Sequence, residues 1–374
     1  MSPTWRNWFS ALKTALTTLC FLFFLAGAET LSAESQVFRC ATSADVHAAL
    51  KSVGPGDTIL LEGGRVYETD ASFILRASGT EEKPIRFTSE DPSGADRYAV
   101  ITTVDGRKEP DLVAITLKGA WWEMSRIEIA GTRIPLEEGY WDTNGFRIGL
   151  YLQGAGSHHN RVEDLRIHHT HNTAVAVRDE SHHNQFRRMH IHHAGEWLDA
   201  DYNAHEGEGF YLGSSKGVAE RGNNARAHDI LIEDNVLGPG LLGQYVDIKY
   251  GVSSVTVRNN TFHCSEKAYN EEVVKIAGFG NRIENNDFVG DHTNLARYIH
   301  VFNKKTADPV LVDYKGKTGI PAPTGRDNTI VNNRFYTDRQ DLKAVESDLR
   351  DDDRSTLYLE NNRVLPPADW EGQP

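Results

Sequence analysis

An all-β, single-stranded right-handed parallel β-helix (solenoid) with an N-terminal capping helix is the fold class this sequence predicts, on three observations. The first is a phrase that recurs seven times, in which an apolar residue is followed by polar residues, often Asn-Asn, and closed by another apolar residue. It reads VEDLRI, FRRMHI, IEDNVL, VRNNTF, IENNDF, IVNNRF and LENNRV, ending at Ile167, Ile191, Leu237, Phe262, Phe288, Phe335 and Val364. The second is its spacing: successive ends lie 24, 46, 25, 26, 47 and 29 residues apart. The two long gaps are near twice the short ones, as if the phrase were disguised or interrupted there. The third is a further short strand in each coil, alternating with a period of two: VAVR before Asp179, FYL before Gly213, VDIK before Tyr250, VKI before Ala277 and IHVF before Asn303.

A helical repeat does not fit, because the apolar spacing is two rather than three or four and Val, Ile and Phe dominate. The Asn pairs fall at the turn between strands. Asn tolerates the left-handed conformation there and stacks in hydrogen-bonded ladders, so these residues read as structural. The open end of a β-helix is a raw sheet edge that needs a cover. Residues 43–53 supply it: Ser43 caps a helix whose Val46, Ala49, Leu50 and Val53 form one apolar face, and Gly54-Pro55-Gly56 ends it. The strand Thr58 to Leu61 then opens the solenoid. Excursions at Thr132 to Asn144, Glu196 to Glu206 and Thr306 to Asp327 break the period, and in repeat proteins such excursions often collect at a binding face.

Ahead of the solenoid, Arg6 and Lys13 precede an apolar run from Ala15 to Ala28, with small residues at Ala26, Ala28 and Ala33. This reads as a signal peptide over residues 1–33, leaving a β-helix domain over 34–374. The run is shorter than the roughly twenty residues of a spanning helix, so no stable membrane insertion is expected after cleavage. A secreted or periplasmic monomer is the expectation. Cys20 falls in the leader, and Cys40 and Cys264 remain as either a bridge or two packed thiols. A formal net charge of −13 argues against nucleic acid as a partner, and means that an anionic polysaccharide must meet a local basic patch.

Counting back thirteen residues from Ile191, Phe262 and Phe288 lands on Arg178, Lys249 and Lys275. Val175 and Val177, Val246 and Ile248, and Val274 and Ile276 point inward by alternation, so these three cations point outward. His300, between inward-facing Ile299 and Val301, joins them. Coils stack about 4.8 Å apart, which makes Lys249 and Lys275 expected neighbours. Their repulsion would lower the pKa of one ammonium and make it a usable base; the alternative is solvated lysines bridged by Asp247. Asp247, with Glu206 and Glu208 of HEGEGFYLG, forms either salt bridges or a divalent-metal site, for which oxygen ligands favour Ca2+. Gly207 and Gly209 allow close approach by a ligand. Lys304 and Trp197 join Arg178 as candidate substrate-binding residues.

Histidines recur in two sets, His158, His159, His182 and His183 at one turn and His168, His169, His192 and His193 at the next, each repeating at 24 residues. Stacked turn residues are the expectation; imidazole suits zinc or copper, but no acidic third ligand recurs with them. His171, His190 and His205 are further candidate proton shuttles.

The segments VHAALKSVGPGDTILLEGGRVYE, VDIKYGVSSVTVRNNTF and VVKIAGFGNRIENNDF resemble the polysaccharide lyase family of alginate lyases and chondroitinase B, within the pectate-lyase-like superfamily. They are similar, in turn, to its capping helix and first strand, its catalytic-lysine strand, and its next coil. The resemblance implies that Lys249 is the base and that Lys275 stands where the family usually has an arginine, without the bidentate fork. Where Ca2+-using members carry acidic ligands, this chain has Leu242 and Gln244. The implied reaction is β-elimination in a uronate chain: Lys249 removes the proton alpha to the carboxylate, Lys275 and Arg178 neutralise the carboxylate, and Tyr211 or His300 protonates the leaving oxygen. The rivals are a glycoside hydrolase using Asp247 and Glu208, a uronate epimerase, and a non-catalytic carbohydrate-binding solenoid in which Trp121, Trp122, Trp141 and Trp197 stack on sugars.

Overall fold

The seven phrases fold alike. In each, the opening residues end one strand, the third residue turns the chain, and the last residue lies in a strand of the next sheet. The structure, a computed structural model, describes residues 34–104, 112–135, 141–195, 206–214, 226–264, 269–303, 311–354 and 356–372. The leader, Trp197, His205 and Lys304 lie outside them. Gln36–Pro374 is one unit.

Three parallel sheets follow one another around each coil. Among the described residues the first sheet has twelve strands, from Val37–Cys40 to Tyr358–Glu360. The second has ten, from Val66–Thr69 to Arg363–Leu365, and the third nine, from Phe73–Leu75 to Lys343–Ser347. The phrase-closing residues align in one row of the second sheet, Ile167 beside Ile191, then Leu237, Phe262, Phe288, Phe335 and Val364. Ile191 and Leu237 are direct neighbours, as are Phe288 and Phe335, so each long gap is one coil interrupted by an excursion. Leu311–Tyr314 and Lys317–Pro321 pair antiparallel within the second of these. Inside the core, Phe262, Phe288 and Phe335 stack at 4.6 and 4.8 Å between ring centres.

The turn residues divide the labour of each Asn pair. Asp164, Arg188, Asp234, Asn259, Asn285, Asn332 and Asn361, all at the third position of the phrase, adopt φ between 49° and 57°. This left-handed conformation costs most residues roughly 1–2 kcal/mol and Asn and Asp less. The next position is buried. There Asn235, Asn260, Asn286 and Asn333 each donate an Nδ2 hydrogen bond to the Oδ1 of the asparagine in the following coil, at 2.9, 3.0, 3.0 and 2.9 Å in turn, the last acceptor being the part-exposed Asn362.

The cap differs from expectation in detail. Thr42, not Ser43, is the N-cap, in a capping box with Asp45, and the helix runs Ser43–Ala49. Ser43 instead donates to the Glu68 carbonyl at 2.6 Å. Val46, Ala49 and Val53 are buried as their spacing required. The solenoid opens one strand earlier than Thr58, because Val37–Cys40 pairs with Thr58–Glu62. Cys40 and Cys264 are free, buried thiols. No described helix is long and apolar enough to cross a membrane.

Candidate active site on the third sheet

Strands of the third sheet enter through a bend at which two consecutive residues join the core, as Tyr245-Val246, Val273-Val274 and Tyr298-Ile299 do. The residue before each bend therefore faces outward with the polar positions further along the strand. One row beside the bend carries Gln244, Glu272 and Arg297. The next row runs Tyr211, Asp247, Lys275, His300 and Glu346 across successive coils.

Lys249 is not in that row. Ile248 pairs with Ile276 and Leu212, so Lys249 lies one pleat beyond Asp247, in line with Arg178 two coils away. The expected Lys249–Lys275 neighbours are thus replaced by an Asp247–Lys275 pair. The reason is that the connection from Ile248 to Phe262 is two residues longer than that from Ile276 to Phe288. An even difference keeps the side chain on its face while shifting it along the strand.

Tyr211 is held between two cations, with the Arg178 guanidinium 4.3 Å and the Lys249 ammonium 4.5 Å from its ring centre. Lys249 pairs with the fully buried Asp247. Burial pushes the Asp247 carboxyl up and Glu208 adds to this, against Lys249 and Lys275, leaving it at about 6. For Lys249, burial opposes the charge, but Asp247, Tyr211 and Glu208 outweigh it and hold the ammonium above the ordinary lysine range. This reverses the lowered pKa expected from lysine repulsion.

A second cluster surrounds Glu272. Its Oε1 accepts from Gln244 Nε2 and Lys275 Nζ, both at 3.0 Å, and its Oε2 lies 3.2 Å from Arg297 Nη1. His300 sits between carboxylates, Nδ1 3.7 Å from Glu272 and Nε2 3.1 Å from Asp348. Burial would favour the neutral ring, yet Glu272 and Asp348 raise the His300 pKa. Burial alone would raise Glu272, but His300, Lys275 and Gln244 bring it down to about 2. This group stabilises the fold above its unfolded pKa near 4.5, by about 3 kcal/mol, and that stability is lost as pH falls through about 2. Melting curves from pH 5 to pH 2 are expected to fall less steeply for Glu272→Gln than for the parent.

The structure brings Arg178, Tyr211, Asp247, Lys249, Lys275 and His300 onto one outer face. Glu208 is buried nearby, accepting from Thr173 Oγ1 at 2.9 Å. Glu206 is exposed. Among the described residues the ligand atoms of Asp247, Glu208 and Glu206 do not gather as a metal-holding group; His183, His228 and Asp229 do. Packing requires Gly207 and Gly209, since a Cβ on Gly209 would lie 2.6 Å from the Tyr245 carbonyl and one on Gly207 2.8 Å from that of Ala194. His190 is in the second sheet and so away from Lys249. The two histidine sets stack as expected, His158 on His182 at 5.0 Å and His168 on His192 at 4.8 Å. Trp122 is buried in the core and Trp121 stacks on His159.

These stacked coils share the parallel β-helix fold of alginate and pectate lyases of known structure. The chain belongs to the family described as "Periplasmic copper-binding protein (NosD)", whose model matches residues 127–356. Among solved structures, an alginate lyase from Paenibacillus sp. str. FPU-7 superposes with a TM-score of 0.71 at 24% identity, covering 88% of this chain and 96% of that one. Pectate lyase Pel9A gives 0.50 at 16% identity, covering 90% and 83%. At these identities the likeness is one of fold. No curated protein matches the sequence.

Proposed function

We propose that this chain is an exported polysaccharide lyase that cleaves a uronic-acid-containing polysaccharide by β-elimination. The observation that carries the reading is the clasp of Tyr211 between Arg178 and Lys249 on an outward face that also presents Lys275 and His300. It is a local gathering of cations on a chain of net charge −13. A uronate carboxylate laid against Arg178 and Lys275 is neutralised, which makes the adjacent C–H acidic enough for a positioned base. Lys249, as free amine, takes that proton, and Tyr211, in contact with it, protonates the leaving oxygen. His300, gripped by Glu272 and Asp348, acts as a fixed cation. The family's periplasmic description supports export, as does the leader expected from the sequence of residues 1–33.

Asp247 sets the working pH. It stabilises the Lys249 ammonium, so Asp247→Asn is expected to raise the free-amine fraction and move the acid limb of the pH–rate profile down by about one unit or more. A limb that stays in place removes Lys249 from the role of base. Copper, named in the family's description, suits imidazole nitrogen more than this lysine-rich face, and no step of the elimination passes through it.

Ultraviolet absorbance of unsaturated uronate, followed with alginate, pectate, dermatan and glucuronan, with Ca2+ or chelator, tests the reading. A rise on one polymer is expected. New reducing ends without that absorbance would instead favour hydrolysis by Asp247 and Glu208.

A further inference from the structure

The first histidine set lies where the chain turns into the first sheet, and there it builds two columns of rings. One column is His158, His182 and His228, with ring centres 5.0 and 4.9 Å apart and planes within 6° of parallel. The other is Trp121, His159 and His183, at 4.5 and 4.7 Å. The coils of His158 and His182 each contribute one ring to each column, and the neighbours within such a coil meet edge to face, at 85° for His158 and His159. The two Nδ1 atoms of such a pair are 2.8 Å apart in both histidine pairs.

The third coil departs from this. His182 pairs with His228, so the residue that follows His183 in its column is Asp229, in the same left-handed conformation, φ 53° for both. A carboxylate thus stands where the pattern would place an imidazole. Its Oδ2 is 2.6 Å from His228 Nδ1 and 3.9 Å from His183 Nε2. One ligand atom from each of the three residues falls within 4.8 Å of the others. Their side chains are 46%, 36% and 43% exposed for His183, His228 and Asp229, so an ion reaches them from solvent.

We propose that His183, His228 and Asp229 form a binding site for a divalent transition-metal ion, Cu2+ or Zn2+. Two imidazole nitrogens with one carboxylate oxygen suit these ions and do not suit Ca2+ or Mg2+, which take all-oxygen sets. The stacked rings below the site fix the orientation of both histidines before an ion arrives, and three protein ligands leave coordination positions open to solvent or a small ligand. The site is separate from the face that carries Lys249 and does not depend on the lyase reading. The second histidine set offers an internal contrast, because among the described residues it forms no such group of three.

The test is calorimetric titration of CuCl2 and of ZnCl2 into chelator-treated full-length protein, with electron paramagnetic resonance of the Cu2+ sample. One equivalent of at least one ion is expected, and nitrogen hyperfine structure from two imidazoles if that ion is Cu2+. Asp229→Asn and His183→Ala are expected to weaken binding by about tenfold or more, and His169→Ala to leave it unchanged. Asp229→Asn preserves shape and a hydrogen-bond acceptor, so it reports on the ligand even if His183→Ala disturbs the column. Parent protein that takes up neither ion, or binding equal in parent and Asp229→Asn, overturns the site.

Discussion

Lys249→Ala is expected to lower the initial rate of unsaturated-product formation by about 10²–10⁴-fold, the range that positioned acid–base groups contribute. The residue is only 18% exposed in its side chain, pairs with Asp247 and touches Tyr211, so its removal takes away the proposed base and loosens the proposed proton donor together. Loss of its charge leaves Asp247 buried without its partner, and that carboxyl then takes up a proton, which limits the damage to the fold. The informative companion is Lys249→Arg. It restores a cation beside Asp247 but is always charged and cannot accept a proton. Rates as low as those of Lys249→Ala are expected. Recovery to near parent rates would mean that the position supplies charge alone. Circular dichroism of both variants separates lost chemistry from lost structure.

Asn286→Ala is expected to destabilise the protein by about 3–5 kcal/mol, from the loss of several buried hydrogen bonds at once. Its Nδ2 donates to the Val257 carbonyl and to Asn333 Oδ1, both at 3.0 Å. Its Oδ1 accepts from the backbone N–H of Asn260 at 2.9 Å and from Asn260 Nδ2 at 3.0 Å. Asn286 has no exposed surface, so the partners it abandons are left inside the core. Asn285, one residue earlier, makes the opposite demand. It must hold φ 56°, which glycine does without strain, so Asn285→Gly is expected to change stability little. Denaturant unfolding of the two variants beside the parent measures both effects. Equal midpoints for Asn286→Ala and Asn285→Gly would contradict the division of labour within the pair.

The fold is legible in the sequence because the solenoid repeats its solution. Seven phrases align at Ile167 through Val364, and the strands that hold Arg178, Tyr211, Asp247, Lys275 and His300 follow from alternation alone. What the letters hid has two physical causes. Lys249 was assigned to the row of Lys275 because a fixed count crosses a connection whose length varies, and no periodicity announces that variation. Alternation from Val274 and Ile276 places Glu272 in the core, whereas Val273 also enters the core at the bend and turns Glu272 to the outer side of the sheet, where it is buried among polar groups. The one clue lay in its spacing three residues before Lys275. Gln244 was noted only as a missing metal ligand and Arg297 went unremarked, for the same reason.

The unequal connections also say how such a surface changes over generations. Insertion of two residues between sheets slides one coil's outward groups by a single pleat, roughly 6.6–6.8 Å, and leaves its apolar residues facing in. A difference of one residue is instead absorbed in the turn: Leu152 to Ile167 is fifteen residues and Val177 to Ile191 fourteen, and all four side chains remain in the core. The outward groups of neighbouring coils can thus meet new partners without a change to any residue of the core.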